Sequence, residues 1–112
     1  MDIQFKTSGL AKACNNRRER EKEWGERRAK ILGRRLDDLR AVETLDDMRH
    51  MPGDCHIYKK RTDGTLTLDL DGGWRLFFKP CHEPFLTLSD GKSLDWTKVT
   101  AIQITDVRDP HD

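Results

Sequence analysis

The strongest constraint on this chain is a run of alternating apolar and polar residues from position 66 to 79, interrupted by a glycine pair. Leucines occupy every second position in its first half, and Trp74, Leu76 and Phe78 do so in its second half. Because successive strand side chains point to opposite faces, alternation around Asp71-Gly72-Gly73 predicts an antiparallel hairpin. One face of that hairpin is apolar and needs a second layer to cover it.

A helical segment near the start of the chain is suited to supply that layer. Leu32, Leu36 and Leu39 recur at helical spacing, with arginines on the opposite side. Gly25 predicts a turn between this helix and an earlier one, which begins near Ser8 because serine is a favoured helix cap. We expect the leucines to face the sheet.

Further strands flank these elements. Ile3 and Phe5 alternate with polar neighbours and predict a first strand, residues 55–60 predict one before the hairpin, and residues 99–107 predict one after it. The predicted fold is α+β, with two N-terminal helices packed on one face of a small, mostly antiparallel sheet in the order β-α-α-β-β-β-β. Residues 1–112 are expected to form a single domain.

Two connecting segments carry their own signals. Thr44 with Asp47 matches an acidic capping box, which predicts a single helical turn ending near Met48. Residues 80–97 contain Pro84, Gly91 and several polar residues, and are interpreted as a long excursion between the last two strands, with no element of its own.

Charge is distributed unevenly along the chain. Its 112 residues carry a formal net charge of +1, yet residues 1–35 hold eleven Lys and Arg against five Asp and Glu. A basic half of this kind favours phosphate groups or an acidic protein partner, although the same residues also solvate helices. No apolar run is long enough for a signal peptide or a membrane span, and the three cysteines are irregularly spaced. We therefore expect a cytoplasmic protein with no membrane partner.

Five groups of residues form a recognisable pattern along essentially the whole chain: Leu10–Cys14, Arg35–Arg40, Pro52–His56, Trp74-Arg75 and Asp109–His111. In these groups and in its order of elements, the chain resembles the HigB-like killer proteins of the RelE/ParE superfamily, which are toxins of type II toxin–antitoxin systems. The resemblance implies an mRNA interferase, an endoribonuclease that needs no metal or other cofactor and cuts mRNA in the ribosomal A site.

The resemblance also implies partners. These are the ribosome with its mRNA, and a cognate antitoxin with a helix-turn-helix DNA-binding part. Operator DNA is expected to be contacted only through the antitoxin complex. Relatives in the superfamily act differently, because fold does not determine chemistry. Two alternatives therefore remain: a ParE-like gyrase inhibitor, and a catalytically degenerate antitoxin or RNA-binding protein of the same fold.

Metal-free RNA cleavage needs proton carriers and positive donors for the phosphate. Alternation places Arg75 on the face opposite Trp74, where an arginine can hold a phosphate. The resemblance assigns catalysis to Arg75, His56, Asp109 and His111. RNA binding is expected of the basic run Lys59, Lys60 and Arg61, in which Lys59 matches a family position and Lys60 stands where the family often has glycine. At position 110 this chain has proline where the family has tyrosine.

Each of these residues also has an ordinary structural explanation. Arg75 suits a solvated strand face, the basic run at 59–61 suits a loop, and His111 suits a frayed terminus. A zinc site built from Cys55-His56 and Cys81-His82 is disfavoured, because adjacent strand residues cannot easily bind one metal and the spacing matches no zinc knuckle.

Overall fold

The computed structural model describes residues 1–81 and 93–111, and over these ranges the chain is an α+β protein with a five-stranded sheet. Within the same ranges, no helix has the length and apolar character needed to cross a membrane. The strands are β1 (Asp2–Phe5), β2 (His56–Ile57), β3 (Leu66–Asp69), β4 (Arg75–Pro80) and β5 (Ala101–Arg108). The helices are α1 (Ser8–Asn15), α2 (Arg17–Trp24) and α3 (Glu26–Ala41), with short 3₁₀ helices at Leu45–His50 and Trp96–Lys98.

The strands lie in the order β1-β5-β4-β3-β2. β1 runs parallel to β5, and every other neighbouring pair is antiparallel. The predicted hairpin is confirmed, since Leu68 lies opposite Leu76 across β3 and β4. Its turn contains Gly72 and Gly73 at φ values of 56° and 85°, a region that favours glycine. The mostly antiparallel sheet is therefore confirmed as well.

The core lies between the helices and one face of the sheet. Leu32, Leu36 and Leu39 of α3 have no exposed surface, as their spacing predicts. They belong to one apolar cluster with the inward-facing side chains of the three central strands: Leu66, Leu68, Leu76, Phe78, Ile102, Ile104 and Val107. Because the helices cover only this face, the opposite face of the sheet, called the open face below, is left for other contacts.

The helical region differs from the prediction of two helices, because three are present between β1 and β2. Asn16 breaks the first segment with extended backbone angles of φ −114° and ψ 120°, and its side-chain oxygen accepts the backbone N–H of Glu19 at 3.1 Å. Asparagine competes for backbone donors in this way and so starts a new helix. Thr7, rather than Ser8, caps α1 by accepting the N–H of Leu10.

The strand predicted at residues 55–60 is shortened to His56–Ile57. The preceding turn has Gly53 at φ 113° and Asp54 at φ 49°, and a second turn begins at Tyr58, whose carbonyl accepts the N–H of Arg61 at 3.2 Å. The two turns leave room for only two paired residues. The last strand is shifted by one or two positions, to Ala101–Arg108.

The capping box at Thr44 and Asp47 is confirmed, and the 3₁₀ helix that it starts continues to His50. The predicted excursion at residues 80–97 falls partly outside the described residues, at positions 82–92. In its described part, the expectation of no further element is wrong. A 3₁₀ helix forms at Trp96–Lys98, because Asp95 caps it by accepting the N–H of Thr97, and Trp96 is buried.

Candidate nucleic-acid interface

Arg75 lies on the open face, where the alternation of the hairpin predicts it. Its neighbour Leu76 is buried in the core, while Arg75 pairs in register with Asp69 on β3 and Arg108 on β5. The guanidinium Nε is 3.5 Å from the Asp69 carboxylate, and a quarter of the side chain is exposed. The Arg75 guanidinium is thus held by Asp69 through Nε and is still accessible to a phosphate.

Arg108 is the cross-strand neighbour of Arg75 on β5, a position that the sequence did not reveal. Its guanidinium carbon lies 4.5 Å from the centre of the Phe77 ring, and its Nε is 3.1 Å from the Asp106 carboxylate. Simple alternation from Ile104 would point position 108 into the core. A register shift between Phe77 and Phe78 adds one residue to β5, so that Val107 faces inward and Arg108 faces outward.

A histidine held by a carboxylate follows Arg108 directly. Asp109 Oδ1 accepts the backbone N–H of His111 at 2.9 Å and lies 3.0 Å from ring Nδ1. These hydrogen bonds, the backbone one above all, lower the pKa of Asp109 and keep it ionised. Because the carboxylate accepts a hydrogen bond from Nδ1–H, Nε2 is the ring nitrogen free to take up a proton, and 64% of the His111 side chain is exposed.

The tail that carries this pair packs on the β3–β4 turn. A Cβ built on Gly73 would lie 3.4 Å from Asp109 Oδ2, and the nearby guanidinium of Arg28 also lowers the Asp109 pKa. Arg28 itself bonds the Asp71 carboxylate at 2.8 Å and stacks 4.3 Å from the centre of the Trp74 ring. Asp109 is therefore an orienting group for His111. In the part of the chain that the structure describes, it forms no ion pair with Arg75.

His56 is separated from these residues. It lies on β2, opposite Thr67 of β3, and two strand spacings of about 4.8 Å each separate β2 from β4. Its ring Nδ1 contacts the backbone carbonyl of Asp54 at 2.7 Å. The sequence placed His56 among the catalytic residues, yet the fold does not bring it next to Arg75 or His111.

The basic run at 59–61 is divided by the fold. Lys59 and Lys60 are exposed in the turn after β2 and have no ion-pair partner within the described ranges. Arg61 lies 4.0 Å from Asp63 and borders a small pocket with Lys6 and Arg108. Of the three, Arg61 alone is shown to border the surface formed by β4 and β5.

The open face carries more cations than the sequence indicated. Phe77 is its buried centre, and the buried Tyr58 ring packs edge-on against it at 5.2 Å. Three carboxylates, Asp63, Asp69 and Asp106, form ion pairs there. Five cations lie on or at the border of this face: Lys6, Arg61, Arg75, Lys79 and Arg108.

The cysteines do not form a metal centre in the described residues. Burial raises the pKa of Cys55 to about 12 and also raises that of Cys81, so both thiols are protonated at neutral pH. No group of three or more His, Cys, Asp or Glu side chains is placed to hold a metal within the same residues. His82 lies outside them.

The open face and the tail together present two arginines on neighbouring strands and an imidazole oriented by a carboxylate. Paired arginines can hold a phosphate, and an oriented imidazole can move a proton. No protein-family model, curated protein or solved structure significantly matches this chain.

Proposed function

We propose that the chain is a ribosome-dependent mRNA endoribonuclease, the toxin of a type II toxin–antitoxin pair, with a RelE-like fold closest to the HigB branch. The observation that carries this proposal is the Asp109–His111 pair, which follows Arg108 and hence the Arg75–Arg108 cross-strand neighbours. Consecutive Cα atoms are about 3.8 Å apart, so the Cα of His111 lies within about 11 Å of that of Arg108.

Each group has a role in cutting RNA without a metal. The 2′-hydroxyl attacks the neighbouring phosphorus, and the 5′-oxygen leaves. Arg75 and Arg108 stabilise the negative charge that develops on the phosphate oxygens. Nε2 of His111 exchanges a proton with the attacking or leaving oxygen, while the Asp109 carboxylate keeps the imidazole in the required tautomer. Pro110 replaces the family's tyrosine and contributes shape without a group for proton transfer.

The layout of the fold supports the same proposal. All three helices lie on the core side of the sheet, so the partly exposed Arg75, Lys79 and Arg108 on the open face are accessible to a strand of RNA. The observed order of elements differs from the expected β-α-α-β-β-β-β by a third N-terminal α-helix, and the agreement of the strands supports a RelE-like fold. The partners that follow are the ribosome with its mRNA and an antitoxin that covers the open face and brings operator DNA into the complex. The proposed compartment is the cytoplasm.

Induction of the protein in cells tests this function. The wild type is expected to arrest growth and cut mRNA, and Arg75→Ala is expected to abolish both while the protein stays folded. Arg27→Ala, which removes an exposed arginine on α3, is the matched control and should keep full activity. Primer extension on induced transcripts locates the cuts.

Three other outcomes would contradict the proposal. Growth arrest with intact mRNA and trapped gyrase–DNA complexes would identify the gyrase inhibitor of the alternative reading. Absence of arrest, together with retained RNA binding, would identify the degenerate binding protein. Equal mRNA cleavage by the wild type and Arg75→Ala would remove Arg75 from the reaction.

A further inference from the structure

A small pocket opens on the open face, between the end of β1, the turn after β2 and the irregular part of β5. Its volume is about 50 Å³. It is lined by six residues: Lys6, Arg61, Phe77, Thr105, Asp106 and Arg108. Residues from four separate segments meet here, so the pocket exists only in the folded protein.

The charge of this pocket is not balanced. Of its three cations, Arg108 is held by Asp106 through Nε, which leaves its terminal nitrogens without a hydrogen bond among the described residues. Arg61 makes only a long contact of 4.0 Å, to Asp63. Lys6 has no ion-pair partner within the described ranges. Asp106 is the pocket's one carboxylate, and it also accepts the N–H of Val107. The pocket therefore carries a net positive charge, which favours the binding of an anion.

A buried hydroxyl points to the same kind of ligand. Thr105 Oγ1 is inaccessible to solvent and has no hydrogen-bond partner among the residues that the structure describes. Thr105 is the extra residue that the register shift introduces into β5. Buried polar atoms are nearly always paired, and Thr105 lines the pocket together with the three cations, so its hydroxyl is a donor that no described residue uses. Phosphate oxygens accept from hydroxyls and from cations alike.

One cation of the pocket, Arg108, is held in place by its neighbours. Phe77 is buried and forms its floor, and the Arg108 guanidinium is stacked on that ring at 4.5 Å and tethered to Asp106. A cation held in this way loses little conformational entropy when an anion binds, which favours a specific contact over a transient one.

We propose that Lys6, Arg61, Arg108 and the hydroxyl of Thr105 form a subsite for a backbone phosphate of RNA, next to the phosphate at which the chain is cut. The ligand class rests on the proposed function, because RNA is the substrate named there. Arg108 joins the subsite to the cleavage site, since it borders the pocket and is also the cross-strand neighbour of Arg75.

Binding of a single-stranded RNA oligonucleotide, measured by fluorescence anisotropy over a range of salt concentrations, tests the subsite. Losing one phosphate contact lowers the slope of log K against log salt by about 0.7 for single strands. Lys6→Ala and Arg61→Ala are each expected to show this decrease and a several-fold weaker affinity. Lys12→Ala, an exposed lysine on α1, is the control and should change neither. Unchanged slopes in both pocket variants would overturn the proposal.

Thr105→Val provides a second test, because valine keeps the shape of the side chain and removes the hydroxyl. Titrating isotope-labelled wild type with the same RNA should give saturable NMR shifts at Thr105 and Arg108, and the valine variant should bind more weakly while remaining folded. Equal affinity of this variant, or no shift at Thr105 in the wild type, would count against the subsite.

These assays need neither ribosomes nor cleavage, so the two proposals fail separately. If the wild type cuts no mRNA, but Lys6→Ala and Arg61→Ala lower the slope of log K against log salt as expected, the phosphate subsite is supported and the nuclease function is rejected. If the wild type cuts mRNA, but the pocket variants bind RNA as tightly as the wild type does, the nuclease function is supported and the subsite is rejected.

Discussion

His111 and Asp109 form a hydrogen-bonded pair at the end of β5, with ring Nδ1 3.0 Å from carboxylate Oδ1. The same oxygen accepts the backbone N–H of His111, so the imidazole and its main chain are held by one acceptor. Residues near a chain end are usually poorly ordered unless they are tied down. This contact is what gives His111 a defined orientation.

The pair predicts a pH dependence for the order of the tail. The pKa of Asp109 is lowered, chiefly by the hydrogen bond from the His111 backbone. A carboxyl with a depressed folded-state pKa stabilises the folded arrangement above its unfolded value of about 3.9, and that contribution is lost as the pH falls through the folded value. An NMR titration of the Asp109 carboxyl should give a midpoint below the unfolded value of about 3.9. A midpoint raised above 3.9 would show that the contact is not formed.

Deletion of residues 109–112 is expected to abolish mRNA cleavage with little loss of thermal stability. The tail contributes the imidazole, while the apolar core lies elsewhere. Cleavage in a translating extract and a thermal melt are the two measurements, and His111→Ala should reproduce the loss of cleavage alone. Full cleavage by the truncated protein would remove His111 from the mechanism. His56 and Lys59, which lie toward the other edge of the sheet, would then remain as the proton carriers.

Pro110→Tyr is expected to keep or raise the cleavage rate, because tyrosine restores a ring that stacks on a base and a hydroxyl that exchanges a proton. Single-turnover cleavage rates of the two proteins provide the comparison. Pro110→Ala is the control, since it removes the fixed φ of proline without adding a ring. A large loss of activity in both variants would mean that the proline itself holds His111 in place.

Trp74→Ala is expected to lower the free energy of unfolding by about 2 kcal/mol, less than the roughly 3–5 kcal/mol of a fully buried aromatic residue. Trp74 is partly buried at the edge of the core, and its ring is covered by Arg28 at 4.3 Å. A decrease in Tm of about 10 °C should accompany the change in a domain of this size. Trp74→Phe keeps a ring under Arg28 and should lose much less, so equal losses would argue against stacking.

Thr65 and Thr67 are both fully buried, yet removing their hydroxyls should have opposite effects. Thr67 Oγ1 has no hydrogen-bond partner among the described residues, whereas Thr65 Oγ1 donates to Asp63 at 2.6 Å. An unpaired buried hydroxyl is unfavourable and a paired one is favourable, by about 1 kcal/mol each. Denaturant unfolding should therefore show Thr67→Val stabilised and Thr65→Val destabilised. A destabilised Thr67→Val would mean that its hydroxyl has a partner.

The sequence by itself determined the elements whose signals are local. The hairpin follows from period-two alternation around Asp71-Gly72-Gly73, and the core face of α3 follows from the spacing of Leu32, Leu36 and Leu39. The capping box at Thr44 was predictable for the same reason. Each of these signals lies within a few neighbouring residues, and the outward direction of Arg75 follows from the alternation alone.

Only the tertiary structure decided the composition of the open face. Arg108 turns outward because β5 pairs with a strand almost thirty positions earlier and takes up one extra residue there, and alternation in its own sequence predicts the opposite. Lys6 and Arg61 border the same pocket as Arg108, although they come from distant segments. His56 lies on β2, which pairs only with β3, and is therefore distant from Arg75. Register and strand order arise from pairing between remote segments, and such pairing leaves no local pattern in the sequence.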